Sequence, residues 1–148
     1  MAALLAHSGD SWFLLLGLGI LWLFGSDYWR NLAAIMAGGI VLTAIFILAI
    51  KFTVRRRRPE GEWGNIYRAT DPHSFPSGHA ARAMMLVVLA AAYGPLWLGP
   101  LLLVWGIGVS FARVAMGVHY LTDILAGMFL GVVMGYVILG VRSIASLP

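Results

Sequence analysis

Apolar residues fall into five runs along the chain, separated by short polar or glycine–proline breaks. They cover roughly 11–25, 31–50, 77–93, 101–115 and 121–141. A helix that crosses a bilayer needs about 20 mostly apolar residues. The pattern therefore predicts an all-α, polytopic transmembrane helix bundle of about five spans, with residues 1–148 forming one domain. The first run is short, while the second is long and unbroken. Gly94-Pro95 and Gly99-Pro100 mark the turn between the third and fourth runs. Residues 1–10 hold no Lys or Arg, so the first run reads as a retained span rather than a signal peptide.

Composition strengthens this reading. The chain is 61% hydrophobic and 11% charged, against about 25% charged for soluble domains. Mean hydropathy is +0.89. Cysteine is absent, which excludes disulfides and thiolate metal sites.

Charge is concentrated in one place. Ten Lys and Arg stand against six Asp and Glu, and Arg55, Arg56, Arg57 and Arg58 form a single run just after Lys51. A basic run that directly follows an apolar span points to a membrane surface or a phosphate-bearing ligand rather than to nucleic acid. Alternating spans sort the loops onto two faces. One face collects the N-terminus, the polar loop from Lys51 to Phe75 and the turn from Met116 to Tyr120. Ionisable groups at membrane spans are costly to place, and so mark a site at that face.

Three clusters carry the chemistry. If the second helix continues past Ile50, Lys51, Arg55 and Arg58 share a face at i, i+4 and i+7, with Pro59 starting the turn. Taken alone, this is a charged stop after a span. In the second cluster, Pro76-Ser77-Gly78-His79, Ser77 is a candidate N-cap and Gly78 allows close backbone approach. A helix N-terminus there makes an anion site within reach of His79. In the third, His119 and Asp123 are one helical turn apart, and Arg113 can clamp a phosphate with its planar fork. A carboxylate on one imidazole nitrogen fixes the tautomer and frees the other nitrogen.

Together these offer three cations, a helix N-terminus and two histidines. That inventory matches phosphoryl transfer, in which one histidine attacks and the other protonates the leaving oxygen. Two histidines and an aspartate could instead ligate a metal or haem, but three cations nearby oppose a metal's charge. A non-catalytic helix bundle, held by the same polar network, is the third reading.

The order and spacing of Lys51…Arg58-Pro59, Pro76-Ser77-Gly78-His79 and Arg113…His119…Asp123 resemble the type 2 phosphatidic acid phosphatase family, whose site is shared with vanadium-dependent haloperoxidases. The resemblance covers about half the chain. It implies a membrane lipid phosphatase that hydrolyses a phosphomonoester or diphosphate of a lipid such as phosphatidic acid, phosphatidylglycerol phosphate or a polyprenyl diphosphate. It further implies His119 as nucleophile, forming a phosphohistidine, with Asp123 orienting it and His79 as general acid. Lys51, Arg58, Ser77, Gly78 and Arg113 would bind the phosphate oxygens, with no metal and no other cofactor. Membrane lipids are the expected surroundings, and a homodimer is left open. Two departures stand out: Ala112 replaces the Ser usual before the third-motif Arg, and five spans replace six. The basic run, read as a positive-inside signal, puts the site on the cytoplasmic face. The resemblance favours the extracytoplasmic face of the cell membrane. His7, Asp10 and His73 read as interface or loop residues. Arg82, one turn into the third span, is a candidate contact for either the substrate phosphate or a lipid headgroup, and the sequence does not decide whether it touches substrate. Gly127, Gly131 and Gly135 read as a packing stripe within the bundle.

Overall fold

A computed structural model describes residues 2–60, 63 and 71–145. Residues 61–62 and 64–70 of the expected polar loop lie outside the described residues. The helices are α1 (Ala2–His7), α2 (Ser11–Phe24), α3 (Asp27–Val54), α4 (Gly78–Tyr93), α5 (Leu98–Ala115) and α6 (Leu121–Ala145). Besides helices, the described residues hold one isolated antiparallel bridge, between Arg57 and His73.

The helix ends follow local chemistry. Asp27 sits in the first turn of α3, where a negative charge complements the helix dipole. Arg55 ends α3 in the left-handed conformation, φ 52° and ψ 35°, with its N–H bonded to the Lys51 carbonyl. Ser77 caps α4 and accepts a hydrogen bond from the Ala80 N–H at 3.4 Å. Gly117, at φ +66°, turns the chain after α5 and delivers His119 to the start of α6.

Helix α4 occupies the centre, packed against α6, α5 and α3. Its contact with α6 is close because α6 presents glycines there. A Cβ at Gly127 or Gly131 would overlap the Ser77 and Ala81 carbonyls, and one at Gly135 would lie 2.6 Å from the Val88 Cβ. The glycine stripe is therefore used inside the bundle, as expected from its spacing. Leu32, Met36, Ile40, Met85, Leu89 and Met134 form a buried apolar core toward the end away from the charged residues. Outward residues such as Val104 and Phe129 are 72% and 68% exposed, as lipid-facing positions require.

Of the five expected spans, α3, α5 and α6 are long and apolar enough to cross a membrane on their own. The apolar helices α2 and α4 are shorter, at 14 and 16 residues. At about 1.5 Å per residue, α4 falls short of a hydrocarbon core of about 30 Å. It is enclosed by longer neighbours, which supply the rest of the thickness. Helix α1 is an addition to the expected elements. With the segment 8–10 it packs on α5, where Trp105 donates to the Ser8 hydroxyl at 3.0 Å.

Candidate active site

The polar residues singled out by spacing converge at one end of the bundle. Lys51, Arg58, Ser77, Arg113, His119 and Asp123 are all buried, each at 4% exposure or less. Lys51, Gly78, His79, Arg113 and His119 line one cavity of about 300 Å³. Arg58 joins them through His119. Ser77 stands at the α4 N-terminus beside Gly78, its side chain spent on the cap and its N–H bonded to the Asp123 carbonyl at 3.0 Å. Ala44, Ile47 and Leu48 of α3 form an apolar wall of the same cavity, and Leu48 is also exposed on the outer surface of the bundle.

His119 is held from both sides. Arg58 Nη1 lies 3.3 Å from its Nε2. A guanidinium can only donate, so Nε2 carries the lone pair and the ring proton sits on Nδ1. Nδ1 faces Asp123 Oδ2 at 3.6 Å. Burial pushes the imidazole down to about 4, aided by Arg58, Arg113 and Lys51, against the upward pull of Asp123. The ring is thus neutral at neutral pH, with its Nε2 lone pair turned toward the cations. Asp123 is itself fixed: the Tyr120 N–H donates to Oδ2 at 2.9 Å and Arg56 Nη1 to Oδ1 at 2.9 Å. Such an arrangement can present a neutral nitrogen nucleophile to an anion held by Lys51, Arg58 and Arg113. Among the described residues, no three His, Asp or Glu side chains group as metal ligands would.

Six further residues surround the site. Arg56 also bonds Thr122 at 2.7 Å and lies 4.2 Å over the Tyr120 ring. Asp71 bridges Lys51 and Arg58, with Arg58 Nη2 at 2.8 Å. Asp10 accepts from His79 Nε2 at 2.7 Å and pairs with His7 at 3.1 Å, so both sit at the site rather than at a remote interface. Arg82 lines the cavity and donates to the Gly9 carbonyl at 3.2 Å. His73 meets Lys51 through its backbone carbonyl at 3.1 Å, while its ring packs edge-on against Phe52.

One expected alignment differs. Arg55 ends α3 and turns outward, donating to the Phe52 carbonyl at 2.8 Å, so it does not share a face with Lys51 and Arg58. Beyond it the chain is extended, as the bridge at Arg57 shows. In extended chain alternate side chains share a side. Arg56 and Arg58 therefore both point inward, the first to Asp123 and the second to His119. The signal for Arg56 was a period of two after the helix end, hidden within a uniform basic run. Nothing in sequence marked Asp71, which is far from both partners along the chain.

Comparison with known proteins agrees with this frame. An undecaprenyl-diphosphatase of Sulfolobus acidocaldarius is 33% identical over 103 residues, covering 63% of this chain and 50% of that protein. A decaprenylphosphoryl-5-phosphoribose phosphatase of Mycobacterium tuberculosis is 34% identical over 103 residues, covering 69% of this chain and 56% of that one. The chain thus spans about half the length of these relatives. The crystal structure of a transmembrane PAP2-type phosphatidylglycerolphosphate phosphatase from Bacillus subtilis superposes with a TM-score of 0.75 at 24% identity, covering 96% of this chain and 75% of that one. Residues 27–145, from the start of α3 to the end of α6, match the PAP2 superfamily, and with the shared fold this establishes that the chain belongs to it.

Proposed function

We propose that the protein is an integral membrane phosphatase that removes a phosphate from a lipid phosphomonoester or diphosphate through a phosphohistidine on His119. The observation that carries this reading is the His119 geometry. Its Nε2 lone pair is held by Arg58 beside a cationic cavity, and its Nδ1–H faces Asp123. In this reading Lys51, Arg58 and Arg113 hold the phosphate oxygens with the α4 N-terminus at Ser77 and Gly78. Nε2 attacks phosphorus in line and the P–O bond to the leaving oxygen breaks. His79 gives that oxygen a proton, then takes one from the water that cleaves the phosphohistidine. Asp123 stabilises the positive charge that forms on His119. Asp71, bonded to Lys51 and Arg58, yields them to the phosphate.

A lipid substrate is favoured by the apolar α3 wall. Leu48 borders the cavity and the outer surface together, so acyl or prenyl chains can stay in the bilayer while the phosphate enters. The two relatives act, by name, on polyprenyl compounds and the solved neighbour on a glycerophospholipid, so the shared chemistry is the lipid phosphate itself.

The test is phosphate release in EDTA by detergent-purified protein on phosphatidic acid, phosphatidylglycerol phosphate and undecaprenyl diphosphate. Wild type should release phosphate from at least one, and His119→Ala from none. A mutant that matches wild type removes His119 from the mechanism. We place the site on the extracytoplasmic face of the cell membrane. In this cysteine-free chain, Glu60→Cys beside the site should react with a membrane-impermeant maleimide in intact cells. Labelling only after permeabilisation would reverse the orientation.

A further inference from the structure

The N-terminal segment precedes the region that matches the family, which begins at residue 27. It nevertheless ends inside the site. Asp10 is the N-cap residue of α2, a position where an Asp carboxylate ordinarily accepts from the helix's own N–H groups. Here it makes no capping bond. Oδ1 instead accepts from His79 Nε2 at 2.7 Å, and Oδ2 meets His7 Nδ1 at 3.1 Å.

The segment is firmly seated. Ala6 is fully buried, Ser8 is bonded by Trp105, and the Gly9 carbonyl is bonded by Arg82. A Cβ on Gly9 would lie 2.8 Å from Val109 Cγ1 and 3.1 Å from His79 Cδ2. The strap therefore covers the Cδ2–Nε2 edge of the His79 ring. The opposite edge, with Nδ1, is the one left to meet the cavity that His79 lines.

We propose that Asp10 is the positioning residue of His79, a carboxylate carried by the N-terminal strap that holds Nε2–H and aims Nδ1 at the leaving oxygen. This rests on the function proposed above. The charged and titratable groups around His79 are Asp10 and His7 of the strap, Arg82 of α4 and Arg113 of α5, with Lys51, Asp71 and His119 around the cavity. Burial and two nearby arginines oppose an imidazolium in the free protein; the Asp10 carboxylate and the charge of an entering phosphate favour it, so Nδ1 takes up its proton as substrate binds. As the P–O bond breaks, the Nδ1 proton passes to the departing alkoxide, and Nε2–H stays bonded to Asp10. Water then attacks phosphohistidine and returns a proton to Nδ1. Burial pulls the Asp10 carboxyl up, but the bonds from His79 and His7 outweigh it and hold it at about 2, so it is an anion throughout. The site thus holds two histidine–aspartate pairs, one for each half of the proton and phosphoryl traffic.

A general acid matters in proportion to how poor the leaving group is. The test compares wild type, Asp10→Asn and Asp10→Glu on phosphatidic acid, which leaves as an alkoxide, and on p-nitrophenyl phosphate, which needs little protonation. Asp10→Asn should lose on the order of 100-fold in kcat on phosphatidic acid. On p-nitrophenyl phosphate the first-turnover burst of nitrophenolate should stay within about 3-fold, because that step needs the His119 nucleophile and little protonation, whereas steady turnover still needs His79 to activate water. The alkaline limb of its kcat profile should move to lower pH, and Asp10→Glu should restore part of the rate. A nitrophenolate burst slowed as much as phosphatidic acid turnover, no loss on phosphatidic acid, or an unmoved alkaline limb would overturn the assignment. If wild type cleaves no lipid phosphate, the proposed function falls and the strap's role with it. If wild type is active and Asp10→Asn equals it, only the strap's role falls.

Discussion

The two ends of the bundle are built on opposite principles. At one end Leu32, Met36, Ile40, Met85, Leu89 and Met134 interlock with no charge among them. At the other, Lys51, Arg58, Arg82, Arg113, His119 and Asp123 are just as buried. Burying charge is expensive even when paired, so the polar end gives up stability that the apolar end must supply. The same helices serve both: α3 and α4 run from one end to the other. The apolar end holds the frame, and the polar end uses that rigidity to keep desolvated ions where water would otherwise separate them.

This division predicts that substitutions at the polar end change rate more than stability, and that those at the apolar end do the reverse. The largest rate effect should come from His119→Ala. Loss of an attacking group that nothing replaces should cost at least about 10³-fold in lipid phosphate hydrolysis. The thermal midpoint in detergent should hardly move, because Asp123 keeps its bonds to Arg56 and Tyr120. A collapse of the midpoint would mean that His119 holds the fold. Leu89→Ala is the mirror case. This side chain is fully buried on the central helix, and its truncation should cost about 2–5 kcal/mol of stability. The kcat of the remaining folded protein should stay within about 3-fold of wild type, since the cavity opens far from the site.

The apolar end was the easier one to read from sequence. Five apolar runs predicted five apolar helices, because composition and span length decide that much whatever the packing. The glycines of α6 announced close packing by their spacing alone. At the polar end, Lys51, Arg58, His79, Arg113, His119 and Asp123 were legible because each lies in a short motif. Their partners were not. Arg56 was masked by the change from a helical to an extended repeat at Arg55, which a backbone φ of 52° imposes and a run of four arginines conceals. Asp10 reads as an interface residue because it directly precedes an apolar span, and nothing local announces His79 as its partner. Asp71 meets Lys51 and Arg58 only through the folded loop. Motif spacing finds groups on one element, whereas ion pairs between elements need the tertiary structure.

Arg56 sharpens the comparison from within the polar end. It touches Asp123 and not His119, so its effect must pass through the carboxylate. Arg56→Gln should lower kcat on lipid phosphate by about 10-fold with KM little changed, as loss of a supporting hydrogen bond to an orienting group does. Arg56→Lys should recover part of that rate. A change confined to KM would show that Arg56 binds the substrate instead.

The smallest expected effect is on stability and follows from the proton on His119. An unburied histidine titrates near 6.5, whereas His119 in the folded chain titrates at about 4. Between these values the unfolded chain takes up a proton that the folded one refuses. The unfolded state then binds more protons, so stability rises with pH across that window and falls as pH drops from 6.5 toward 4. Below about 4 both states are protonated at this position and its contribution levels off. His119→Asn removes the titrating ring, so its thermal midpoint should fall less steeply than that of wild type over the same window. Above it the two midpoints should run in parallel. In the active protein the same titration predicts that the acid limb of kcat/KM, which reports the free enzyme, lies near 4 rather than near 6.5. An acid limb near 6.5, with no difference in pH slope between the two proteins, would place His119 in water rather than against Arg58. The polar end would then lack the desolvation that separates it from an ordinary charged surface.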